Sequence, residues 1–385
     1  MVNFDEIINR VDSDSIKWDA ANRALGSNDY IQMGCADMDF KAPVEIIEEL
    51  KKAVEFGIFG YVTQSKNFEE GIIKWYQERH GVEIGKQSIV YSPKVVIAAS
   101  LCVEAFSRPG DSIILNSPYY PPLDEVSLAN GRRVIEPPLE EREGRYVMNL
   151  EKLETLIDSK TKIMILVSPH NPTTRIWTQE ELEQIADFCV RHKIILFVDE
   201  IHSDFVKSGH KFISMAAIKG PIQDLLVLAN APSKTFNVMG CQISYLIIPN
   251  AKLRAAMSTE LDRIAAYDAN TFGNALMKVA YQKCAYYIDE LNSYIDGNEE
   301  FMRTNFKRVL PKAIIKEREG TFLLWVDFNE QFSSEAQMMS FFRKAKINFL
   351  PGSHFGPHFH NFARINIGCP RATLQEVINR IEQAL

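Results

Sequence analysis

Ile194-Ile195-Leu196-Phe197-Val198-Asp199-Glu200-Ile201-His202 is an unbroken apolar run that ends abruptly on two acids. A segment of strand length with no polar face suits a parallel strand buried on both sides. Two further stretches read the same way. Ile163-Met164-Ile165-Leu166-Val167 leads into Ser168-Pro169-His170-Asn171-Pro172, and Leu225-Leu226-Val227-Leu228-Ala229 leads into Ala231-Pro232-Ser233-Lys234-Thr235-Phe236-Asn237. Together they predict an α/β fold with a mostly parallel sheet flanked by helices. In open α/β sheets the ligand crevice lies beyond the carboxyl ends of the strands. Asn171, Asp199 and Lys234 each follow or end such a strand, so all three converge on that crevice.

These residue types, joined by Arg364-Ile365-Asn366 near the end of the chain, match the needs of pyridoxal phosphate. The cofactor draws electrons into its ring, which requires a protonated ring nitrogen, and a buried carboxylate such as Asp199 stabilises that charge. Its aldehyde is held by an amine, for which Lys234 is the candidate. Asn171 offers a donor to the ring hydroxyl, and His202 reaches the same side of the ring. Arg364 suits an amino acid carboxylate, because a guanidinium binds it in bidentate fashion. Taken singly, Lys234 reads as a surface lysine, Asp199-Glu200 as a helix start, Asn171-Pro172 as a turn and Arg364 as a strand charge. Their joint occurrence in one order overrides those readings.

The flanking residues carry a resemblance. With Ala36-Asp37-Met38-Asp39-Phe40, Gly57-Ile58-Phe59-Gly60-Tyr61, Arg175-Ile176-Trp177-Thr178 and Ala363-Arg364-Ile365-Asn366-Ile367-Gly368-Cys369-Pro370-Arg371, the chain resembles fold-type I pyridoxal phosphate enzymes of the aspartate aminotransferase superfamily. Within them it is similar to the MalY/PatB-type cystathionine β-lyases, or cysteine C-S lyases. The resemblance spans nearly the whole chain. It implies a large cofactor-binding domain and a smaller α+β domain, with Tyr120 stacking on the cofactor ring and Ser233 adding a hydroxyl. Backbone N-H groups around Val95 and Val96 would hold the phosphate at a helix N-terminus. Tyr61 would reach the phosphate from the neighbouring subunit of a homodimer. Lys234, Tyr120 and Tyr61 form the implied catalytic set, while Arg364 and Asn171 bind substrate. The implied reaction is β-elimination from L-cystathionine or related S-substituted cysteines, giving pyruvate, ammonia and a thiol.

Three positions depart from the superfamily pattern. Thr173-Thr174 stand where a small residue and glycine are usual, so that turn is built without glycine's freedom at positive φ. Gln242 stands where aminotransferases carry a phosphate-binding arginine, and His202 stands where many carry tyrosine. Both point toward the lyases. An aminotransferase remains the alternative, using the same residues but reprotonating the cofactor carbon. A cofactor-binding regulatory protein that acts through a partner is the alternative of another class. His354, His358 and His360 lie in a loop with no Cys or acid close by in sequence, so no metal is expected; the loop reads as part of the substrate entrance.

Composition narrows the remaining choices. The 385 residues suffice for two lobes, and a net charge of -7 argues against a nucleic-acid surface. Six scattered cysteines suit reduced thiols in a cytoplasmic protein, and neither a signal pattern nor a membrane-length apolar run is seen. The expected organisation is an N-terminal segment, 1–43, joining the small domain, then a cofactor-binding domain, 44–274, then a small domain, 275–385. A closing helix is expected from Leu374 to the end, capped by Thr373.

Overall fold

The computed structural model describes residues 2–385. Its centre is a seven-stranded sheet made of β1 (Ile89–Ser92), β2 (Ser112–Leu115), β3 (Arg133–Ile135), β4 (Thr161–Val167), β5 (Ile195–Asp199), β6 (Leu226–Asn230) and β7 (Ser244–Ile247). The spatial order is β1-β7-β6-β5-β4-β2-β3. From β6 to β3 every pairing is parallel, and only β7 runs against its neighbours. Every residue of β5 and β6 is buried, as expected for strands covered on both faces.

Alternate side chains of these strands feed two cores. Ile163, Ile165, Phe197, Val227 and Ala229 join Val95, Ala98, Ala99 and Cys102 of helix α1 (Val95–Phe106), whereas Met164, Leu166, Leu196 and Leu228 join the larger core on the other face. The opposite layer includes α2 (Gln179–His192). Its start is secured by a reciprocal capping box between Thr178 and Glu181, which satisfies two N-H groups that a helix start otherwise leaves unpaired.

A second, antiparallel sheet contains β8 (Ile314–Ile315), β9 (Leu323–Asp327), β10 (Leu350–Pro351) and β11 (Phe362–Asn366) in the order β8-β9-β11-β10. The N-terminal segment joins this half of the molecule, because Ile31 and Gln32 pair in parallel with Ile347 and Asn348. The 25-residue helix α3 (Ala285–Val309) supplies Ile288, Leu291, Ile295, Met302 and Phe306 to the core at helical spacing. Its buried Asn298 donates to the carbonyls of Ile367 and Cys369, at 2.8 and 2.9 Å, tying the helix to the chain just beyond β11.

Two details of the chain differ from the sequence reading or sharpen it. The closing helix α4 (Arg371–Ala384) starts with Pro370 at the N-cap, so Thr373 lies within its first turn; proline's fixed φ and missing N-H suit it to a helix start. In the turn without glycine, Thr174 takes a φ of 65°. That conformation is secured because the Thr174 carbonyl accepts from Glu319 and Gly320, and its N-H donates to His170.

Gly352 opens the loop that precedes β11. A Cβ there would lie 2.1 Å from the Phe359 carbonyl oxygen and 2.6 Å from the Phe362 Cβ. Gly352→Ala is therefore expected to destabilise the fold by about 1–3 kcal/mol through overpacking. Urea unfolding measures this, and an unchanged midpoint would contradict the close packing of the loop.

Candidate active site

The carboxyl ends of β4, β5 and β6 bring Asn171, Asp199 and Lys234 to one crevice, and β11 faces them across it with Arg364. β9 and β10 flank Arg364, which stands in register with Trp325 and Leu350. The Arg364 guanidinium is buried, with 2% of the residue exposed. It donates to Asn171 Oδ1 at 2.9 Å and to the Gly34 carbonyl at 2.7 Å, and the Phe355 ring lies 4.8 Å from it. Its Nε has no partner, and among the described residues no carboxylate forms an ion pair with it. Burial lowers its pKa to about 10.

Lys234 lies in the short helix Pro232–Thr235, which starts directly after β6. The next residue, Thr235, anchors that helix by donating to Asp204, and Asp204 also accepts from the Trp75 indole. The Lys234 amine donates to the Ala36 carbonyl. Burial, with Arg364 adding repulsion, holds its pKa below the ordinary lysine value. A lysine depressed in this way is a better base and nucleophile near neutral pH.

Asp199 accepts from the Ile201 N-H at 3.0 Å. Burial raises its pKa from 3.8 to about 6, even though Lys234 and the Ile201 bond pull the other way. His202 is buried with Nδ1 unpaired, and burial together with Lys234 and Arg364 keeps its imidazole neutral.

The two adjacent tyrosines are separated by their surroundings. The Tyr119 hydroxyl turns away, donating to Glu136 at 2.9 Å. Tyr120 stays in the field of Arg364, Cys35 and Asp199, with burial raising its pKa. Val95 and Val96 form the first positions of α1, whose opening N-H groups have no intrahelical acceptor, and Ser233 lies buried next to Lys234. Tyr61 is fully exposed and does not join these residues within one chain. Phe56, Ile58 and Phe59 beside it are exposed as well.

Other residues complete the site without having been singled out as functional. Asn237 and Asn366, both inside the motifs quoted above, bind the backbone of residues 35–40. Their signal was a polar residue beside each catalytic one. Behind Asp199, the Glu200 carboxyl accepts from Ser214, Met215 and Tyr76, and burial pushes its pKa up to about 8. It thus forms a largely neutral floor. The 352–360 loop stands at the pocket through Phe355, and His354 is close enough to Arg364 for that charge to help lower its pKa, after burial.

The residues fit pyridoxal phosphate on their own chemistry. Asp199 is a buried carboxylate with no cation bonded to it among the described residues, which a protonated ring nitrogen would provide. Among the described residues Lys234 has no acid partner, His202 Nδ1 is buried without a partner and the start of α1 has no side-chain cap.

Comparison with known proteins agrees with this cofactor. The model of the Aminotransferase class I and II family matches residues 24–381. Cystathionine beta-lyase PatB of Bacillus subtilis is 38% identical over 386 residues, covering 100% of both chains. Protein MalY of Escherichia coli is 28% identical, covering 100% of this chain and 99% of its own. The crystal structure of cystalysin from Treponema denticola, which contains a pyridoxal 5'-phosphate cofactor, superposes with a TM-score of 0.96 at 31% identity, covering 100% and 98% of the two chains.

The raised pKa of Asp199 has a measurable consequence for the cofactor-free protein. The folded state penalises the charged carboxylate, so this group costs stability above pH 6 and costs nothing below its unfolded pKa of 3.8. Asp199→Asn is expected to stabilise the cofactor-free chain at pH 8 by up to about 3 kcal/mol. The gain should fade as the pH drops from about 6 to about 4. Denaturant unfolding across that range tests this; a gain independent of pH would contradict it. From its crevice at the strand ends to its family model and its relatives, the chain belongs to the class I and II aminotransferase family.

Proposed function

We propose that this chain is a pyridoxal phosphate-dependent C-S β-lyase acting on L-cystathionine or a related S-substituted L-cysteine. The observation that carries the reading is a pair of basic side chains, Lys234 and Arg364, that have no acid partner among the described residues. They are held by the carbonyls of Ala36 and Gly34, two residues apart, with Asp199 at the same crevice. One side chain suits the cofactor aldehyde and the other the substrate carboxylate. Kinship with Cystathionine beta-lyase PatB favours elimination over amino transfer, as does Gln242 at the aminotransferase arginine position.

Bound pyridoxal phosphate supplies an electron-withdrawing ring that takes up the negative charge left when the α-proton departs. The chain's own residues do the rest. Arg364 binds the α-carboxylate, and Asn171 orients the guanidinium through its carbonyl oxygen. The Lys234 amine, whose pKa burial lowers, takes the proton from Cα. Asp199 would hold positive charge on the ring nitrogen, and that ion pair would offset its own burial penalty. His202, kept neutral, would line the ring without adding a competing charge, and Tyr120 would cover it. In balance, cystathionine and water give homocysteine, pyruvate and ammonia.

We further propose a homodimer in which Tyr61 serves the partner's site. Its full exposure supports this, as does the apolar neighbourhood of Phe56, Ile58 and Phe59, a cluster of the kind that marks an interface. Residues 44–274 would then act as the cofactor-binding unit and 275–385, with the N-terminal segment, as the small domain. The six free thiols support a reducing, cytoplasmic setting.

Subunit complementation tests both the lysine and the dimer. Lys234→Ala homodimers are expected to lose thiol release and the visible absorbance of lysine-bound cofactor, and Tyr61→Ala homodimers to lose most turnover. Hybrids of the two would regain activity, because one of their sites combines Lys234 with the other subunit's Tyr61. Substantial elimination by Lys234→Ala would contradict the role of the lysine, and inactive hybrids would contradict the crossed tyrosine.

A further inference from the structure

The peptide 34–40 is gripped from two sides. On the site side, Arg364 donates to the Gly34 carbonyl, Asn366 to those of Cys35 and Asp37, Lys234 to that of Ala36, and Asn237 to those of Met38 and Phe40. On the other side lies a strap of residues 10–19 that the reaction does not use. Arg10 meets both oxygens of Asp37 at 2.9 Å, Asp39 Oδ1 at 2.9 Å and the Met38 carbonyl at 3.1 Å. Lys17 donates to Asp39 Oδ2 at 2.7 Å and to the Asp37 carbonyl at 2.8 Å, and the Trp18 indole donates to Asp39 Oδ1 at 3.0 Å. The strap is itself folded onto Asp19, whose carboxylate accepts the N-H groups of Asp12, Ser13 and Ser15.

We infer that Arg10 and Lys17 are positioning residues: through Asp37 and Asp39 they fix the peptide whose carbonyls aim Arg364 and Lys234 into the site. The Lys17 side chain is 1% exposed and that of Asp39 is 7% exposed. A buried ion pair gains little stability over apolar packing of the same volume, because both charges lose their hydration. What this pair supplies is a single register, since the two cations bond the Asp37 and Asp39 carboxylates and the carbonyls of Asp37 and Met38. A shift of that peptide moves Gly34 and Ala36, and with them the two cationic groups. Misplacement by about 1 Å costs as much as about a hundredfold in function.

This inference rests on the proposed reading of Arg364 as the carboxylate-binding group. The test uses cofactor-loaded Lys17→Met and Arg10→Gln variants, with folding checked by thermal unfolding. Arg10 is the more exposed residue, and its variant decides alone if Lys17→Met does not fold. Loss of the strap should loosen carboxylate binding in ground and transition states alike. KM for L-cystathionine is therefore expected to rise at least about fivefold, and kcat to fall as well because the same peptide aims Lys234. Phenylglyoxal should modify Arg364 faster than in the parent, as read by peptide mass spectrometry. A parental value of either readout in a folded variant would overturn the strap's role. If the parent itself shows no turnover, the lyase reading falls, and the Arg364 modification rate alone decides the strap: faster supports it, unchanged refutes it.

Discussion

A guanidinium buried without an anion is the constraint around which this molecule is arranged. Arg364 is held by one amide oxygen, one backbone carbonyl and the face of an aromatic ring, none of which carries a charge. Burying an unpaired cation is costly, and such a group is retained where an incoming anion completes it. Each neighbour of Arg364 comes from a different part of the chain. Asn171 follows a strand of the large sheet, Gly34 belongs to the N-terminal segment and Phe355 to the loop before β11. The arginine is therefore correctly surrounded only when both sheets and the N-terminal segment are assembled.

The same assembly sets the electrostatics of the crevice. Asp199 and His202 are both biased by burial toward their neutral forms, and Lys234 is biased the same way. Arg364, with its pKa held at about 10, keeps its charge near neutral pH. A cofactor that brings a ring cation to Asp199 and an aldehyde to Lys234 converts these penalties into favourable interactions, so binding energy and catalytic competence arise from one arrangement. Preorganised groups in a dry site act without the reorganisation that water would demand.

Much of this was legible in the chain itself. Parallel strands buried on both faces have no polar positions, so 163–167 and 194–198 announced themselves, and the residues after each strand named the crevice. Arg364 was legible only jointly with the others, because an isolated arginine in a strand carries no signal. The strap was not legible. Arg10 and Lys17 look like ordinary surface charges, and their burial depends on a fold that brings residues 10–19 onto 37–39. The start of α4 was misread because Thr373 satisfies the side-chain rule for a cap, whereas the fixed φ of Pro370 begins the helix three residues earlier. Thr174 shows the converse: tertiary hydrogen bonds hold a threonine in the left-handed conformation that local preference would assign to glycine. Tyr61 has no role that a single chain displays.

Elimination at this crevice is distinguished from amino transfer by the partition of products. Pyruvate formed from L-cystathionine by the cofactor-loaded protein would be measured with and without an added oxo acid. Steady pyruvate release is expected, with homocysteine in equal amount, that does not depend on the oxo acid. Turnover that appears only when an oxo acid is supplied would contradict it and assign the site to amino transfer.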